Sequence, residues 1–263
     1  MTCDTATVTH GQGRVSLVGA GPGDAELLTI KAVRAIRRAS VVLADDLVSD
    51  AVLRFVRRGA RIVHVGKRGG CVSTPQAFIE KLMLAEALKG ERVVRLKGGD
   101  PFIFGRGGEE AEHLRAHGVE VEVVNGVTSG LAAATALGAP LTHRAHAHGV
   151  IFVTAHAREG AAPLDWPTLG AAAAQGLTLV IYMGVAAVES VQKGLLHSLP
   201  ATTCAAVVQS VSLPQQREAV CTLASLATTV HDEGLASPSI IIVGDVLRGV
   251  QSLARSAMRD RAA

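Results

Sequence analysis

The sequence predicts an α/β protein of two domains, and three observations predict it. Apolar runs of strand length alternate with helical apolar stripes through the first half of the chain. Glycine clusters stand where strand gives way to helix, at Gly19–Asp24 and again around Gly98–Gly108. The texture then changes after Gly138 to His148, a stretch of Gly, Pro and three His that marks a boundary.

The elements follow in order. Arg14 to Gly19 is a short apolar run ending in glycine, and Asp24 is placed to cap a helix over Ala25 to Ala39. Leu27, Leu28, Ala32, Val33, Ala35 and Ile36 form its apolar stripe. Strands follow at Ser40 to Leu43 and Arg61 to Val65. Thr74-Pro75 opens a helix that runs to about Lys89. A strand at Arg92 to Leu96 enters the second glycine-rich loop, and helix Gly107 to His117 leads to strand Val119 to Val124. Such alternation implies a largely parallel, helix-covered sheet. Beyond the boundary, Gly149 to Val153, Leu177 to Tyr182, Ala205 to Val208 and Ile240 to Val243 read as strands, with Ala219 to Leu223 paired to one of them. Helices are expected at Val185 to His197 and Leu223 to Val230. The expected domains are 14–140 and 141–250, flanked by a disordered extension 1–13 and a tail 251–263.

Composition narrows the function. Of 263 residues, 48% are hydrophobic and 19% charged, enough apolar surface for a sizeable core. A net charge of +3 provides no broad basic face for duplex nucleic acid, and seven aromatic residues (5 Phe, 1 Tyr, 1 Trp) are too few for a base-stacking platform. No long uncharged apolar run predicts a membrane span. The four cysteines, Cys3, Cys71, Cys204 and Cys221, show no C-x-x-C spacing and read as free thiols. With a polar N-terminus, the expectation is a soluble cytoplasmic protein.

The chemistry concentrates in the loops. Gly19-Ala-Gly-Pro-Gly-Asp24 lets backbone approach a ligand closely, but Pro22 removes an N–H that a pyrophosphate would use, and no P-loop lysine is present. Taken alone, the cluster is equally a tight strand-to-helix turn. The run Arg95-Leu-Lys-Gly-Gly-Asp-Pro-Phe-Ile-Phe-Gly-Arg-Gly-Gly-Glu-Glu110 is more specific. Two Phe in an aromatic-poor chain, beside Lys97 and Arg106, suggest a lined pocket. Lys67, Arg68, Arg106, His143 and Arg144 are cations in loops, each by itself more often a solvated surface charge than a ligand contact. His143, His146, His148 and His156 lack an acid or Cys to complete a familiar zinc motif, so no metal is expected.

Six runs together carry a family resemblance: Val18–Asp24, Val65-Gly-Lys-Arg68, Val93–Glu110, Gly126-Val-Thr-Ser129, Pro140-Leu-Thr-His-Arg144 and Tyr182-Met-Gly184. In order and spacing, over about Arg14 to Arg248, the chain resembles the uroporphyrinogen-III C-methyltransferases of the tetrapyrrole methylase superfamily. The resemblance implies a homodimer of two α/β domains of the tetrapyrrole methylase type, with the active site in the interdomain cleft. It implies S-adenosyl-L-methionine as co-substrate, without metal, and methylation of uroporphyrinogen III at ring carbons 2 and 7 to precorrin-2, feeding sirohaem, cobalamin or both. Asp45 matches the family's proton acceptor and Lys67 its proton donor, although Asp46 stands beside Asp45 and residue chemistry alone does not choose between them. Pro22, Gly98, Gly99, Asp100, Ile103, Thr128, Ser129 and Met183 match its cofactor contacts. Arg68, Arg106, His143 and Arg144 are the implied substrate contacts.

Departures from the family pattern are Ala44 where Tyr is frequent, Val72 near a frequent His, and Val211 in Gln209-Ser-Val-Ser212 where a glycine is frequent near the cofactor. The nearest rival is another superfamily member: a methylase of a later precorrin, a diphthine synthase or a ribosomal RNA ribose methylase. A dinucleotide oxidoreductase is disfavoured because no G-x-x-G follows Gly21. A non-catalytic effector-binding module is disfavoured because Asp45, Lys67 and Asp100 are all present.

Overall fold

The structure, a computed structural model, describes residues 13–66, 74–156, 160 and 162–250. Lys67 and Arg68 therefore lie outside the described residues, as do Cys3, Cys71, residues 1–12 and the tail 251–263. Two compact units make up the chain, Met1–Thr128 and Ser129–Ala263.

In the first unit, β1 (Arg14–Gly19) is followed by α1 (Ile30–Arg38), β2 (Val41–Ala44), α2 (Asp50–Leu53), β3 (Arg61–His64), α3 (Gln76–Leu88), β4 (Arg92–Lys97), α4 (Gly107–Ala116) and β5 (Glu120–Val124). The strands form one sheet in the order β3-β2-β4-β1-β5, every neighbouring pair parallel. Side-chain alternation divides its core. Val18, Val42, Val94 and Leu96 pack with Ala32 and Ile36 of α1, while Val15, Leu43 and Val93 pack with Ile79 and Met83 of α3 and Leu114 of α4. Each large side chain fully buried this way stabilises the fold by about 1.5–3 kcal/mol.

The helix expected over Ala25 to Ala39 is two elements. Asp24 does cap, accepting from the Glu26 N–H at 2.9 Å, but it caps a 3₁₀ turn over Ala25–Leu27. Leu28 is extended, and the Thr29 hydroxyl takes the Ala32 N–H at 3.0 Å, starting α1 afresh. A side chain that offers a backbone N–H a local partner favours a cap over a helix interior.

The second unit comprises α5 (Ser129–Ala136), β6 (Gly149–Thr154), α6 (Trp166–Ala174), β7 (Leu177–Tyr182), α7 (Val188–Leu195), β8 (Cys204–Gln209), β9 (Arg217–Thr222), α8 (Leu226–Asp232) and β10 (Ser239–Val243). Its sheet runs β6-β7-β10-β8-β9, with only β6 and β7 parallel. The strand expected at Ala219 to Leu223 is β9, paired antiparallel to β8. Trp166, Leu179, Ile181, Val191, Leu195, Leu223, Leu226 and Ile241 fill its core.

The division after Thr128 comes one helix earlier than the expected boundary at residue 140. Helix α5 explains the difference, because it packs on β7 and β10 of the second sheet. Its small residues allow close approach: the Gly130 N–H donates to the Tyr182 hydroxyl at 3.0 Å, and a Cβ at Gly130 would stand 2.4 Å from that oxygen.

Candidate functional site

The first sheet has a switch point. From β1 the chain crosses toward β2, whereas from β4 it crosses the opposite way toward β5, and β1 and β4 are neighbours. A crevice opens at the carboxyl ends of such diverging strands, where ligands of open parallel sheets bind. Both glycine clusters lie there. Gly99 N–H donates to the Gly21 carbonyl at 2.7 Å, and Gly21 N–H returns a bond to Gly99 at 3.1 Å. Gly21 and Gly99 hold φ of 71° and 67°, a conformation that favours glycine. The loop after β5 joins them: a Cβ on Gly126 would lie 2.2 Å from the Gly99 carbonyl oxygen. Pro22, Gly98, Gly99, Asp100 and Ile103 thus gather at one edge of the sheet.

Asp100 is the knot of this edge. One carboxylate oxygen accepts from the Phe102 N–H at 2.8 Å, and the other from Gly126 N–H at 3.1 Å and Asn125 Nδ2 at 3.3 Å. The buried acid therefore ties the β4 loop to the β5 loop. Asn125 was not singled out in the sequence. Beyond Asp100 the loop is strained: Phe104 and Arg106 have φ of 51° and 59°. Phe102 and Phe104 are exposed and do not fill the core, in keeping with a pocket lining. Arg106 is exposed and held by Glu109 at 2.6 Å, which keeps its guanidinium above the ordinary range.

Asp45 follows β2, its backbone N–H bonded to the Leu96 carbonyl at 3.0 Å and its carboxylate one-third exposed. Behind it lies a charged cluster. Val93, Arg95 and Lys97 share one face of β4, so the face turned to α3 and α4 changes from apolar to cationic toward the carboxyl end. Arg95, 3% exposed, places Nη2 3.7 Å from Asp45 Oδ2. Its Nε donates to Glu110 Oε1 at 3.2 Å, and its Nη1 to the Leu43 and Leu96 carbonyls, each at 3.3 Å. Lys97 Nζ and Gln76 Nε2 both reach the same Glu110 oxygen at 3.1 Å. Burial, reinforced by the Arg95 charge, pushes Lys97 below the ordinary lysine range. Lys97 is expected at a pocket lining from the sequence, whereas the roles of Arg95 and Glu110 emerge in the fold. The signal was there in two cations alternating along an otherwise apolar strand.

On the second unit, Ser129 opens α5, and Met183 follows β7 with φ 54° and an exposed side chain. Thr128 closes the first unit and is buried. His143 and Arg144 stand exposed in a turn closed by paired bonds between His143 and Ala147, each 2.9 Å. His143 Nδ1 accepts the Ala145 N–H at 3.1 Å, and its ring stacks on His146 at 4.5 Å. Val211 is buried between Ser210 and Ser212, whose φ are 49° and 63°. The left-handed positions flank Val211, so its own side chain meets no φ penalty. Among the described residues no group of three His, Cys, Asp or Glu side chains converges as a metal site. No helix among them is long and apolar enough to cross a membrane.

Comparison with known proteins identifies the family. The family described as Tetrapyrrole (Corrin/Porphyrin) Methylases matches residues 14–227. A uroporphyrinogen-III C-methyltransferase of Pseudomonas aeruginosa is 52% identical over 241 residues, covering 91% of this chain and 96% of the relative. A siroheme synthase of Azotobacter vinelandii is 47% identical over 90% of this chain, which spans 50% of that longer protein. The crystal structure of uroporphyrin-III C-methyltransferase from Thermus thermophilus, complexed with S-adenyl homocysteine, aligns with a TM-score of 0.75 and 42% identity. That alignment covers 90% of this chain and 99% of the other.

Proposed function

This chain belongs to the tetrapyrrole (corrin/porphyrin) methylases, and from that premise we propose how it works on its substrates. It is a uroporphyrinogen-III C-methyltransferase that uses S-adenosylmethionine and forms precorrin-2 by way of precorrin-1. The observation that carries the reading is the join of the two glycine loops at the β1/β4 switch point, where Gly21 and Gly99 exchange backbone hydrogen bonds. These loops offer a surface rich in backbone polar groups, with Asp100 and Ile103 beside it. That surface suits an adenine and a sulfonium, and provides no P-loop lysine for a phosphate.

S-adenosylmethionine supplies an electrophilic methyl group: a pyrrole carbon forms the new C–C bond as the C–S bond breaks, its electron pair staying on sulfur. The chain's own residues position the partners and manage the proton. Pro22, Gly98, Gly99, Asp100, Ile103, Thr128, Ser129 and Met183 are the residues assigned to the cofactor. Arg106, His143 and Arg144, with Arg68, meet carboxylates of the macrocycle. Methylation leaves the macrocycle electron-poor, and a proton must depart elsewhere on it. Asp45, partly exposed beside Arg95, accepts that proton, and Lys67 takes the family's proton-donor role. The reading extends to a cytoplasmic homodimer acting on neither nucleic acid nor membrane, with a product that feeds sirohaem synthesis, cobalamin synthesis or both.

Calorimetric titration tests the cofactor half. S-adenosylmethionine and S-adenosylhomocysteine should bind and compete, while a nicotinamide dinucleotide should give no heat. Binding of the dinucleotide instead would overturn the reading.

A further inference from the structure

A buried Glu110 with an unused oxygen calls for explanation. Its carboxylate is 0% exposed, Oε1 takes Arg95, Lys97 and Gln76, and Oε2 has no hydrogen-bond partner among the described residues. Two cations and a carboxylate inside a domain cost several kcal/mol each in desolvation, and an apolar trio of similar volume would fold at least as well. Stability is therefore a poor reason for this arrangement. The cluster's outward contact is with Asp45, through Arg95 at 3.7 Å.

We infer that Glu110 is a positioning residue for methyl transfer: by anchoring Arg95 and Lys97 from below, it sets where Arg95 stands and how much positive charge Asp45 meets. This rests on the reading of Asp45 as proton acceptor. The charged groups around the pair can be enumerated. Arg95 and Lys97 face Glu110 from β4, Gln76 faces it from α3, and Arg106 stands at the N-terminal end of α4, four residues before it. Asp45 meets Arg95 and interacts with Lys97 across the cluster, with Asp46 adjacent in the chain. Two carboxylates and two cations thus balance, Asp45 being the member open to solvent.

Charge balance makes opposite predictions for opposite substitutions. Glu110→Gln removes a negative charge and favours the ionised acceptor, so the acid limb of the kcat profile moves to lower pH. Lys97→Met removes a positive charge and moves the same limb to higher pH. Each single variant should lower kcat about tenfold or more, since acid–base catalysis contributes ~10²–10⁴-fold, while the KM for S-adenosylmethionine stays within about twofold. The double variant Glu110→Gln/Lys97→Met restores the balance, returning the limb toward wild type and recovering part of kcat. A packing role would not shift the two limbs in opposite directions, nor be repaired by a second core substitution.

The experiment is anaerobic steady-state methyl transfer across pH with wild type and the three variants, giving kcat and KM, their folding checked by circular dichroism. Should Glu110→Gln not fold, Lys97→Met alone tests the sign. Opposed shifts with partial rescue support the inference. Folded variants with unshifted limbs, or limbs moving together, overturn it while active wild type leaves the methyltransferase reading standing. A wild type that transfers no methyl overturns that reading as well.

Discussion

Gly21 and Gly99 exchange backbone hydrogen bonds, at 2.7 and 3.1 Å, across loops that leave the sheet in opposite directions. Neither loop carries a regular element at that point, so two glycines in left-handed conformation fix the edge of the crevice. Pro22, Gly98 and Asp100 adjoin this join in the chain.

Asp100→Ala should weaken S-adenosylmethionine binding and also lower stability. Three donors lose their acceptor at once, and leaving buried donors unpaired costs about 1–3 kcal/mol. Calorimetry and thermal unfolding together check this. A residue selected only for the cofactor would change the first and leave the second alone.

Gly126→Ala should be more damaging than its size implies. The new methyl would meet the Gly99 carbonyl oxygen at 2.2 Å, a backbone atom that cannot swing aside. Overpacking of this kind costs about 1–3 kcal/mol. The crevice should open and cofactor affinity fall. Gly108→Ala, where nothing lies within 4 Å, is the matched control.

Arg144→Ala should raise the KM for the porphyrinogen more than that for S-adenosylmethionine, since the proposal assigns its exposed guanidinium to substrate carboxylates. Equal changes in both constants would remove it from the substrate contacts.

Glu86 gives a pH signature independent of catalysis. Arg61 and Lys89, the latter at 2.9 Å, hold its carboxyl below the usual carboxylate range in the folded state. A depressed folded pKa contributes stability above the unfolded value, lost as pH falls through the folded one. Glu86→Gln should therefore lower Tm at neutral pH, with the difference from wild type shrinking under acid conditions.

Much of this architecture was legible in the sequence, for identifiable reasons. Val15-Ser-Leu-Val18 and Val93-Val94 announce strands through β-branched and apolar runs, and glycines at 19–23 and 98–99 mark where those strands end. Helix α5 was not legible because Ser129-Gly-Leu-Ala-Ala-Ala-Thr-Ala136 offers little contrast between faces; its placement comes from Gly130 fitting beneath Tyr182. Thr29 ended the first helical stripe by capping a new helix, which periodicity alone does not register. At the site, motif residues such as Asp100 were visible, but their partners were not. Asn125 and Glu110 reach Asp100 and Arg95 from positions 25 and 15 residues away. Long-range pairing of that kind belongs to the fold rather than to any local pattern.

The most direct measurement is anaerobic incubation with uroporphyrinogen III and methyl-labelled S-adenosylmethionine, followed by product mass and label count. The account predicts two methyl groups per macrocycle, with a singly methylated intermediate appearing first and then declining. Absence of transfer to this macrocycle, with S-adenosylmethionine still bound, would contradict the assigned substrate and leave only the fold and the cofactor site.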